Sequence, residues 1–387
     1  MQYSLEIAEL HGSIGGCLHC NSCHYGNWPE NHEICPIYSP DHTFTHSAGG
    51  LMFLAKALIR NQMEYSQHLA ELVYSCSACR GCDDQCNMMR STNPLMPLSD
   101  IIRLLKYEMV KRDLVPERLK STRKKIREEG DLLNKGEQSR PQVPPAIMDE
   151  QADTVLYAEC FHGGGQWNVF VSALNLLEKM EYPIALHAEG GCCGSTLFDH
   201  GFWDELPGLV QQKAQRLGSY ADKRLLFVNP HCQEFTTNHY GVIADDYQPP
   251  TGLHISELLA EALKEGRLKE RDGAGVKVAY HDPCMLARGL GITEPPREVL
   301  SSFAAVELVE LERNRQNTFC CGSRAAGEYF SGFRERTARE RLDEFEESGA
   351  DILITACHYC KTLFQQVLGE NRDRVKDLCE FVDERTQ

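Results

Sequence analysis

The chain has 387 residues, 42% of them hydrophobic, and a formal net charge of −16 at pH 7. This length exceeds one typical hydrophobic core, so two or three domains are expected. The negative charge argues against nucleic-acid binding, which needs a concentrated positive surface. No apolar run approaches the ~18 residues that span a bilayer, and the first residues lack the pattern of a secretory signal. These features favour a cytoplasmic protein, with any membrane association made through partner subunits.

Cysteine is the unusual feature of the composition, with 18 residues. Because no export signal is visible, a disulfide framework is not expected, and metal binding or redox chemistry is the leading explanation. The spacing of the cysteines decides between these possibilities.

Two runs of closely spaced cysteines lie near the start of the chain. They are Cys17-x2-Cys20-x2-Cys23, followed after eleven residues by Cys35, and Cys76-x2-Cys79-x2-Cys82-x3-Cys86. Three thiolates at this spacing wrap one face of a cubane [4Fe–4S] cluster, and in two-cluster ferredoxins the fourth ligand comes from the other run. Zinc fits two triple-cysteine runs poorly. We therefore predict one cluster on Cys17, Cys20, Cys23 and Cys86, and a second on Cys76, Cys79, Cys82 and Cys35.

The first 150 residues divide into a domain and a linker. Residues 1–110 are predicted to form a helical ferredoxin-like domain with two clusters, including a helix through Leu105 and Met109 that Ser99 and Asp100 would cap. Residues 111–150 begin with a basic stretch, Lys111–Glu129, and continue with a proline-rich segment. We interpret residues 111–150 as a linker, and the basic stretch within it as a solvated helix face or linker. A docking surface for an acidic partner is the alternative for the basic stretch.

From residue 151 onward, short apolar strands alternate with amphipathic helices, which predicts an α/β fold with parallel sheets. The pattern occurs twice, over residues 151–270 and 271–387. The predicted strands are Thr154–Cys160, Pro183–Glu189, Arg224–Pro230, Val276–His281, Ala305–Glu312 and Asp351–Thr355. The predicted helices are Trp167–Met180, Trp203–Tyr220, Pro295–Phe303 and Phe330–Glu347.

The cysteines repeat with the same period. Each half has a cysteine after its first strand, then the triplet CCG, then a cysteine after its third strand. The first set is Cys160, Cys192, Cys193 and Cys232, and the second is Cys284, Cys320, Cys321, Cys357 and Cys360. The gaps are 31 and 38 residues in the first half and 35 and 35 in the second. An internal duplication explains this pattern most simply, and the shared edge of parallel strands would bring each set together.

This arrangement resembles the cysteine-rich CCG domain found in the B-type and D-type subunits of heterodisulfide reductases. The domain also occurs in the iron–sulfur subunits of glycolate and lactate oxidation and of anaerobic glycerol-3-phosphate dehydrogenase. Two ferredoxin-type motifs followed by two CCG domains match the D-type or fused C–B layout over nearly the whole chain. The local motifs agree, namely YHDPC ending at Cys284, FCCG at Phe319–Gly322 and TACHYC ending at Cys360.

The resemblance implies roles for the two sets. In this family a complete five-cysteine set holds a noncubane [4Fe–4S] cluster that cleaves a disulfide, which implies a catalytic site at Cys284, Cys320, Cys321, Cys357 and Cys360. The first half has Phe235 in the place of the fifth cysteine. Its remaining cysteines are left to hold an ordinary cluster or zinc, as an electron relay, or no metal at all.

Other residues near the second set depart from the family pattern or carry protons. Arg324 stands where a glycine-rich run is common, and it is a candidate for binding an anionic substrate. His281 and His358 are candidate proton donors. Hydrogen-bonding or core roles are the alternative for all three.

The expected function is that of an iron–sulfur oxidoreductase subunit in an anaerobic, heterodisulfide-reductase-like complex, active only within that complex. Electrons would pass through two cubane clusters to the noncubane cluster, which acts on a disulfide or another two-electron partner. Since no G-x-G-x-x-G fingerprint is present, a flavoprotein, hydrogenase-like or cytochrome subunit is the expected partner. One alternative is a pure electron relay between a flavoprotein and a quinone or other carrier, of the glycolate or lactate oxidase or acyl-CoA reductase type. Another is a zinc-binding scaffold.

Overall fold

The computed structural model describes residues 14, 16–26, 32–40, 42–86, 97–129, 144–158, 167–187, 191–244, 247–326 and 332–387. Cys160, a predicted member of the first CCG set, lies outside these residues. So do the ends of the predicted strands that reach Cys160 and Glu189, and the start of the predicted helix at Phe330.

The N-terminal region is mainly helical between its cysteine loops. Its helices are α1 (Ala48–Ile59), α2 (Gln67–Ser75), α3 (Gly81–Gln85) and α4 (Leu98–Lys111), and a short antiparallel pair joins β1 (Tyr25–Gly26) to β2 (His32–Glu33). Helix α4 confirms the helical pattern through Leu105 and Met109, both of which are buried.

The predicted cap of α4 is wrong. The helix begins at Leu98 with Pro97 as its N-cap, so Ser99 lies inside the first turn. The carboxylate of Asp83, in α3, accepts hydrogen bonds from the Ser99 backbone nitrogen at 2.9 Å and from the Ser99 hydroxyl at 2.6 Å. A side chain 16 residues away therefore satisfies one of the free N–H groups of this helix.

The basic stretch forms helix α5 (Glu117–Glu129). Leu119 and Ile126 are buried. Arg118 donates to the carbonyl of Ala325 at 3.1 Å, and Arg123 pairs with Glu205. The helix thus packs against both CCG halves.

Each half of the remaining chain contains a four-stranded parallel sheet. The first has β3 (Thr154–Tyr157), β4 (Ala185–His187), β5 (Arg224–Phe227) and β6 (Thr251–His254), in the order β4-β3-β5-β6. The second has β7 (Val276–His281), β8 (Val306–Glu310), β9 (Ile352–Thr355) and β10 (Val375–Asp377), in the order β8-β7-β9-β10. Counted within each half, both orders are 2-1-3-4. The fold class and the internal repeat are confirmed.

The strands of each half are connected by helices. In the first half they are α6 (Trp167–Lys179), α7 (Ser195–Asp199), α8 (Leu206–Leu217), α9 (Pro230–Asn238), α10 (Tyr240–Ile243) and α11 (Ile255–Lys264). In the second half they are α12 (Glu294–Ser301), α13 (Phe333–Glu347), α14 (His358–Leu368) and α15 (Leu378–Arg385), with a π-helical turn at Met285–Gly289. Among the residues with described positions, no helix is both long and apolar enough to cross a membrane.

The three parts of the chain share their cores. One apolar cluster joins the N-terminal region to the first half, including Leu105 and Trp203. A second lies between the two halves and includes Leu156 and Tyr280. Strand ends, and the loops that carry the cysteines, are therefore held in fixed relation to one another.

Candidate metal centres

The two ferredoxin-type loops each line a cavity with four cysteines. One cavity is lined by Cys17, Cys20, Cys23 and Cys86. The other is lined by Cys35, Cys76, Cys79 and Cys82. The structure therefore brings Cys86 to the first run and Cys35 to the second, in the exchanged grouping expected of a two-cluster ferredoxin. That these thiols hold iron–sulfur clusters stays a prediction.

Cys23 and Cys35 are held in surroundings that disfavour bare thiolates. Burial raises the pKa of both thiols, and the neighbouring thiols raise it further. A bound metal reverses this preference because its positive charge stabilises the thiolate. Four thiols gathered in one cavity therefore fit a metal cluster better than they fit a metal-free state.

The two loops share an unusual backbone conformation. His19 and Asn21 lie two and four residues after Cys17, and both have left-handed φ angles, 54° and 63°. Ala78 and Arg80 occupy the same places after Cys76, with φ angles of 52° and 65°. A residue other than glycine is strained when its φ angle is left-handed. Alternation of right-handed and left-handed backbone conformations also turns successive N–H groups toward one concave, anion-binding space. The repeated strain favours a functional origin.

His19 lines the first cavity beside Cys17. Its Nε2 lies 3.1 Å from the ammonium of Lys56, and its Nδ1 lies 3.6 Å from the sulfur of Cys17. Because an ammonium group only donates, Nε2 accepts and Nδ1 carries the proton. His19 therefore directs an N–H group at the Cys17 sulfur.

All five cysteines of the second CCG set are described and buried. The sulfurs of Cys321 and Cys360 lie 3.2 Å apart, and the Cys320 sulfur accepts from the backbone nitrogen of Gly322 at 3.4 Å. Gly322 has a φ of 82°, and a Cβ there would lie 2.8 Å from Thr337. Only glycine permits this turn.

His281 completes a three-residue group with Cys321 and Cys360, whose potential ligand atoms all lie within 4.8 Å of one another. Its Nδ1 accepts from Arg341 at 3.1 Å, so the ring proton is on Nε2. Burial, assisted by Arg341, lowers the pKa of His281 to about 3. At neutral pH the ring is an uncharged hydrogen-bond donor rather than an acid.

The CCG turn of the first half has the same geometry. The backbone nitrogen of Gly194 donates to the Cys192 sulfur at 3.4 Å, and Gly194 has a φ of 100°. Cys193 and Cys232 are buried.

The position of the missing fifth cysteine is filled by an aromatic ring. Phe235 packs against Phe198 with ring centroids 5.2 Å apart, and against Tyr240 at 5.5 Å. A Cβ on Gly194 would lie 2.9 Å from the Phe235 ring. The ring therefore occupies space directly beside the CCG turn.

One ferredoxin-type cavity adjoins the second CCG set. The side chains of Cys284 and Cys320 belong to one buried cluster, and Cys79 packs against it. The hydroxyl of Ser77 lies 3.3 Å from the sulfur of Cys320. Two predicted metal sites therefore touch through their ligands.

A buried ionic group, which we call the Asp199 hub, joins all three parts of the chain. Asp199 accepts from Arg103 at 2.8 Å and from Arg324 at 2.7 Å, and its carbonyl accepts from Lys106 at 3.1 Å. Burial raises the pKa of Asp199, but the three cations outweigh burial and hold it below its usual value. Arg324 thus serves this ion pair, rather than standing free beside the second set.

Sequence reasoning did not identify several residues near these sites. Arg288 lies four residues after Cys284, a helical spacing that could have indicated it. His231 directly precedes Cys232, but its contact with the second half is not visible from spacing. Asp199 pairs with residues 96 and 125 positions away, so no local pattern indicates it.

Comparison with known proteins agrees with this architecture. The family model for the cysteine-rich domain CCG matches residues 157–235 and 278–365. The chain is 29% identical over 242 residues to the D subunit of the dihydromethanophenazine:CoB–CoM heterodisulfide reductase of Methanosarcina mazei, covering 60% of this chain and 58% of that protein. It is 27% identical over 209 residues to the EtfAB:quinone oxidoreductase of Syntrophomonas wolfei, covering 51% and 29%. It is 25% identical over 386 residues to the B subunit of the fumarate reductase (CoM/CoB) of Methanothermobacter marburgensis, covering 96% and 72%.

Two regions of the chain thus match the cysteine-rich domain CCG. The resemblance of its motifs to the D-type subunit of heterodisulfide reductases is confirmed. The matched region spans about three fifths of the length of those heterodisulfide reductase relatives.

Proposed function

We propose that this chain is the iron–sulfur, electron-transferring subunit of a multi-subunit oxidoreductase of the heterodisulfide reductase type. The contact of Cys79 with the cluster that contains Cys320 supports the proposal, because a cysteine of a ferredoxin-type run packs against cysteines of the second CCG set. Electrons pass readily only between centres that lie close together. The similarity to the D-type subunit of heterodisulfide reductases supports the same assignment.

The residues of the chain suit three metal centres. We propose cubane clusters in the two four-cysteine cavities and a noncubane cluster on Cys284, Cys320, Cys321, Cys357 and Cys360. When bound, these clusters supply one-electron transfer in the cavities and two-electron disulfide chemistry at the CCG set. The protein supplies thiolates, excludes water and directs N–H groups at the sulfurs.

The reaction we propose takes up a disulfide, two electrons and two protons and releases two thiols. The S–S bond breaks, each sulfur receives one electron and one proton, and the protons come from solvent. A reduced flavoprotein, hydrogenase-like or cytochrome subunit supplies the electrons.

Anaerobic metal analysis and EPR of the full chain test this proposal. We expect about twelve irons per chain, four for each of three clusters, and an additional EPR signal from the second CCG set after thiol oxidation. About eight irons with bound zinc would overturn the noncubane assignment.

A pair of cysteine variants separates catalysis from relay. Cys357→Ala should abolish disulfide reduction by a viologen-reduced chain and leave both cubane signals intact. Cys379→Ala is the matched control, since Cys379 is equally buried but lies in α15 outside every set. Retained disulfide reduction in Cys357→Ala would refute the catalytic role.

A pure electron relay is the second candidate function. The similarity to an EtfAB:quinone oxidoreductase favours it. In that case the chain would pass electrons from a reduced flavoprotein to a quinone analogue and leave disulfides unchanged.

A further inference from the structure

The N-terminal turn of α9, in the first CCG half, is built so that His231 has one orientation. Asn229 caps the helix by accepting from the His231 backbone nitrogen at 3.0 Å. Its amide also donates to the Cys232 sulfur at 3.3 Å. Pro230 fixes the first helical residue. The His231 side chain therefore projects from a rigid turn.

The His231 ring is held by residues of the other half. Nη1 of Arg324, which follows the second CCG triplet, lies 3.3 Å from Nδ1 of His231. Tyr359, between Cys357 and Cys360, meets the ring edge-on at 5.1 Å. Only 3% of His231 is exposed. A residue of the incomplete half thus lies within the surroundings of the complete set.

These contacts determine where the ring proton is. A guanidinium only donates hydrogen bonds, so Nδ1 of His231 accepts and the proton is on Nε2. The edge-on contact with Tyr359 places the His231 ring beside the turn that carries Cys357 and Cys360. Burial raises the pKa of Cys357, but the hydrogen bonds from Cys360 and His231 outweigh burial and hold it well below its ordinary value.

We propose that His231, supplied by the first half, is a positioning residue of the second-half site, and that its Nε2–H donates to the Cys357 sulfur. The hydrogen bond stabilises Cys357 as a metal-binding thiolate. This inference rests on the proposed function only because it takes an iron–sulfur cluster as the group that Cys357 holds. Hydrogen bonds to ligand sulfurs favour the reduced, more negative state of a cluster. The first half, in which Phe235 takes the place of the fifth cysteine, then contributes a histidine to the site of the second half.

The test uses the full chain purified anaerobically. His231→Leu removes the donor, and His231→Gln keeps a side-chain N–H group. His187→Leu is the control, because His187 is a buried histidine of the same half that packs against Tyr157 and Tyr220. Iron content and the midpoint potential of each cluster, followed by EPR, are measured for all three.

We expect His231→Leu to shift the potential of the second-half cluster to a more negative value, with a smaller shift in His231→Gln. The two cubane potentials and the control should not move. An unchanged potential in His231→Leu with full iron content would overturn the inference. If His231→Leu does not fold, His231→Ala, which also removes the donor, decides by the same readout.

A zinc titration separates this inference from the proposed function. Zn²⁺ is added to the metal-free chain in competition with a chelator, so the result does not depend on iron. Loss of a partner that orients a metal ligand weakens affinity about 10- to 100-fold. We expect that loss in His231→Leu and not in His187→Leu. Equal zinc affinities would overturn the inference, whereas iron-free preparations of the native chain would overturn only the proposed function.

Discussion

Arg288 donates a hydrogen bond from Nε to the carbonyl oxygen of Cys79 at 2.8 Å. The side chain leaves the π-helical turn after Cys284 and reaches the ferredoxin-type loop. Its guanidinium is buried beside the thiols of Cys79, Cys284 and Cys320, and Nη2 has no hydrogen-bond partner in the described part of the chain. One positive charge therefore lies at the junction of two predicted metal sites.

Arg288→Gln should make the potentials of both adjoining clusters more negative, because a buried cation stabilises the added electron. Arg288→Lys keeps the charge and should shift them less. Arg339→Gln, which removes a surface arginine bonded to the Val367 carbonyl, is the control. EPR-monitored redox titration measures the potentials. If Arg288→Gln retains its iron and its potentials, the charge has no such role.

The exchanged fourth ligands can be tested directly. Cys35→Ser should lose the same EPR signal as Cys79→Ser, since Cys35 and Cys79 line one cavity. Cys86→Ser should lose the same signal as Cys20→Ser, which lines the other. Each variant should contain about four irons fewer per chain. The opposite pairing of signals would show that each run supplies its own fourth ligand.

The spacing of apolar residues and cysteines predicted the strands and helices that repeat along the chain. The strands that precede Cys284 and Cys357 were predicted because apolar runs end shortly before a cysteine, and both are confirmed as β7 and β9. The fourth strand of each sheet, β6 and β10, was not predicted. These edge strands read TGLH and VKD, and they lack the apolar run that marks β3, β5 and β9. The tight packing of α5 was also missed, because its charges hide the two buried positions, Leu119 and Ile126.

Backbone strain at Ala78 gives a further prediction. Its φ of 52° suits glycine better than any other residue. Ala78→Gly should fold with native iron content and equal or higher thermal stability. Ala78→Val adds a branched Cβ at the same φ and should lose iron from the adjacent cavity, at a cost of about 1–3 kcal/mol. Iron analysis and thermal unfolding measure both effects. Equal iron in the two variants would mean that the loop conformation does not matter.

The Asp199 hub should dominate the stability of the chain. Asp199→Asn leaves the buried guanidinium groups of Arg103 and Arg324 without a full counter-charge, which costs about 3–5 kcal/mol. Asp204→Asn is the control, since Asp204 accepts from Tyr107 at an exposed position and should cost less than about 1 kcal/mol. Urea unfolding followed by circular dichroism compares them. Similar midpoints would contradict the importance of the hub.

Asp377 makes stability depend on pH. Burial, with Glu380 nearby, raises its pKa to about 8, whereas an unfolded aspartate titrates near about 3.9. The folded chain therefore keeps a proton that the unfolded chain has lost. Stability from this group is full below pH about 4 and decreases as the pH rises to about 8, by up to about 1.4 kcal/mol per pH unit.

Asp377→Asn removes this titration and keeps an oxygen for the Cys379 backbone nitrogen, which Asp377 bonds at 2.9 Å. The free energy of unfolding should then change less between about pH 6 and about pH 8. Asp343→Asn, an exposed change on α13, should retain the native slope. Parallel slopes in Asp377→Asn and the native chain would contradict the prediction.

The site was less predictable than the fold wherever it depends on contacts between parts of the chain. Cysteine spacing indicated which thiols meet, because each set is defined by local turns or strand ends. It did not indicate that Cys79 packs against the cluster that contains Cys320, since that contact depends on how two domains pack. The presence of Phe235 in place of a fifth cysteine also did not indicate that the phenylalanine ring fills the space beside Gly194. Contacts between separate parts of the chain follow no periodic pattern in the sequence, so spacing does not predict them.

The Asp199 hub also bears on the timing of electron transfer. Proteins that carry electrons on a swinging domain spend much of each cycle waiting for the domain to arrive. Here Arg103 and Arg324 bind one buried carboxylate from opposite sides, so the distance between the ferredoxin-type loops and the second CCG set is fixed by packing. We expect transit within the chain to be faster than the arrival and departure of partners. The rate of turnover would then be set outside this protein, at the surfaces where electrons enter and products leave.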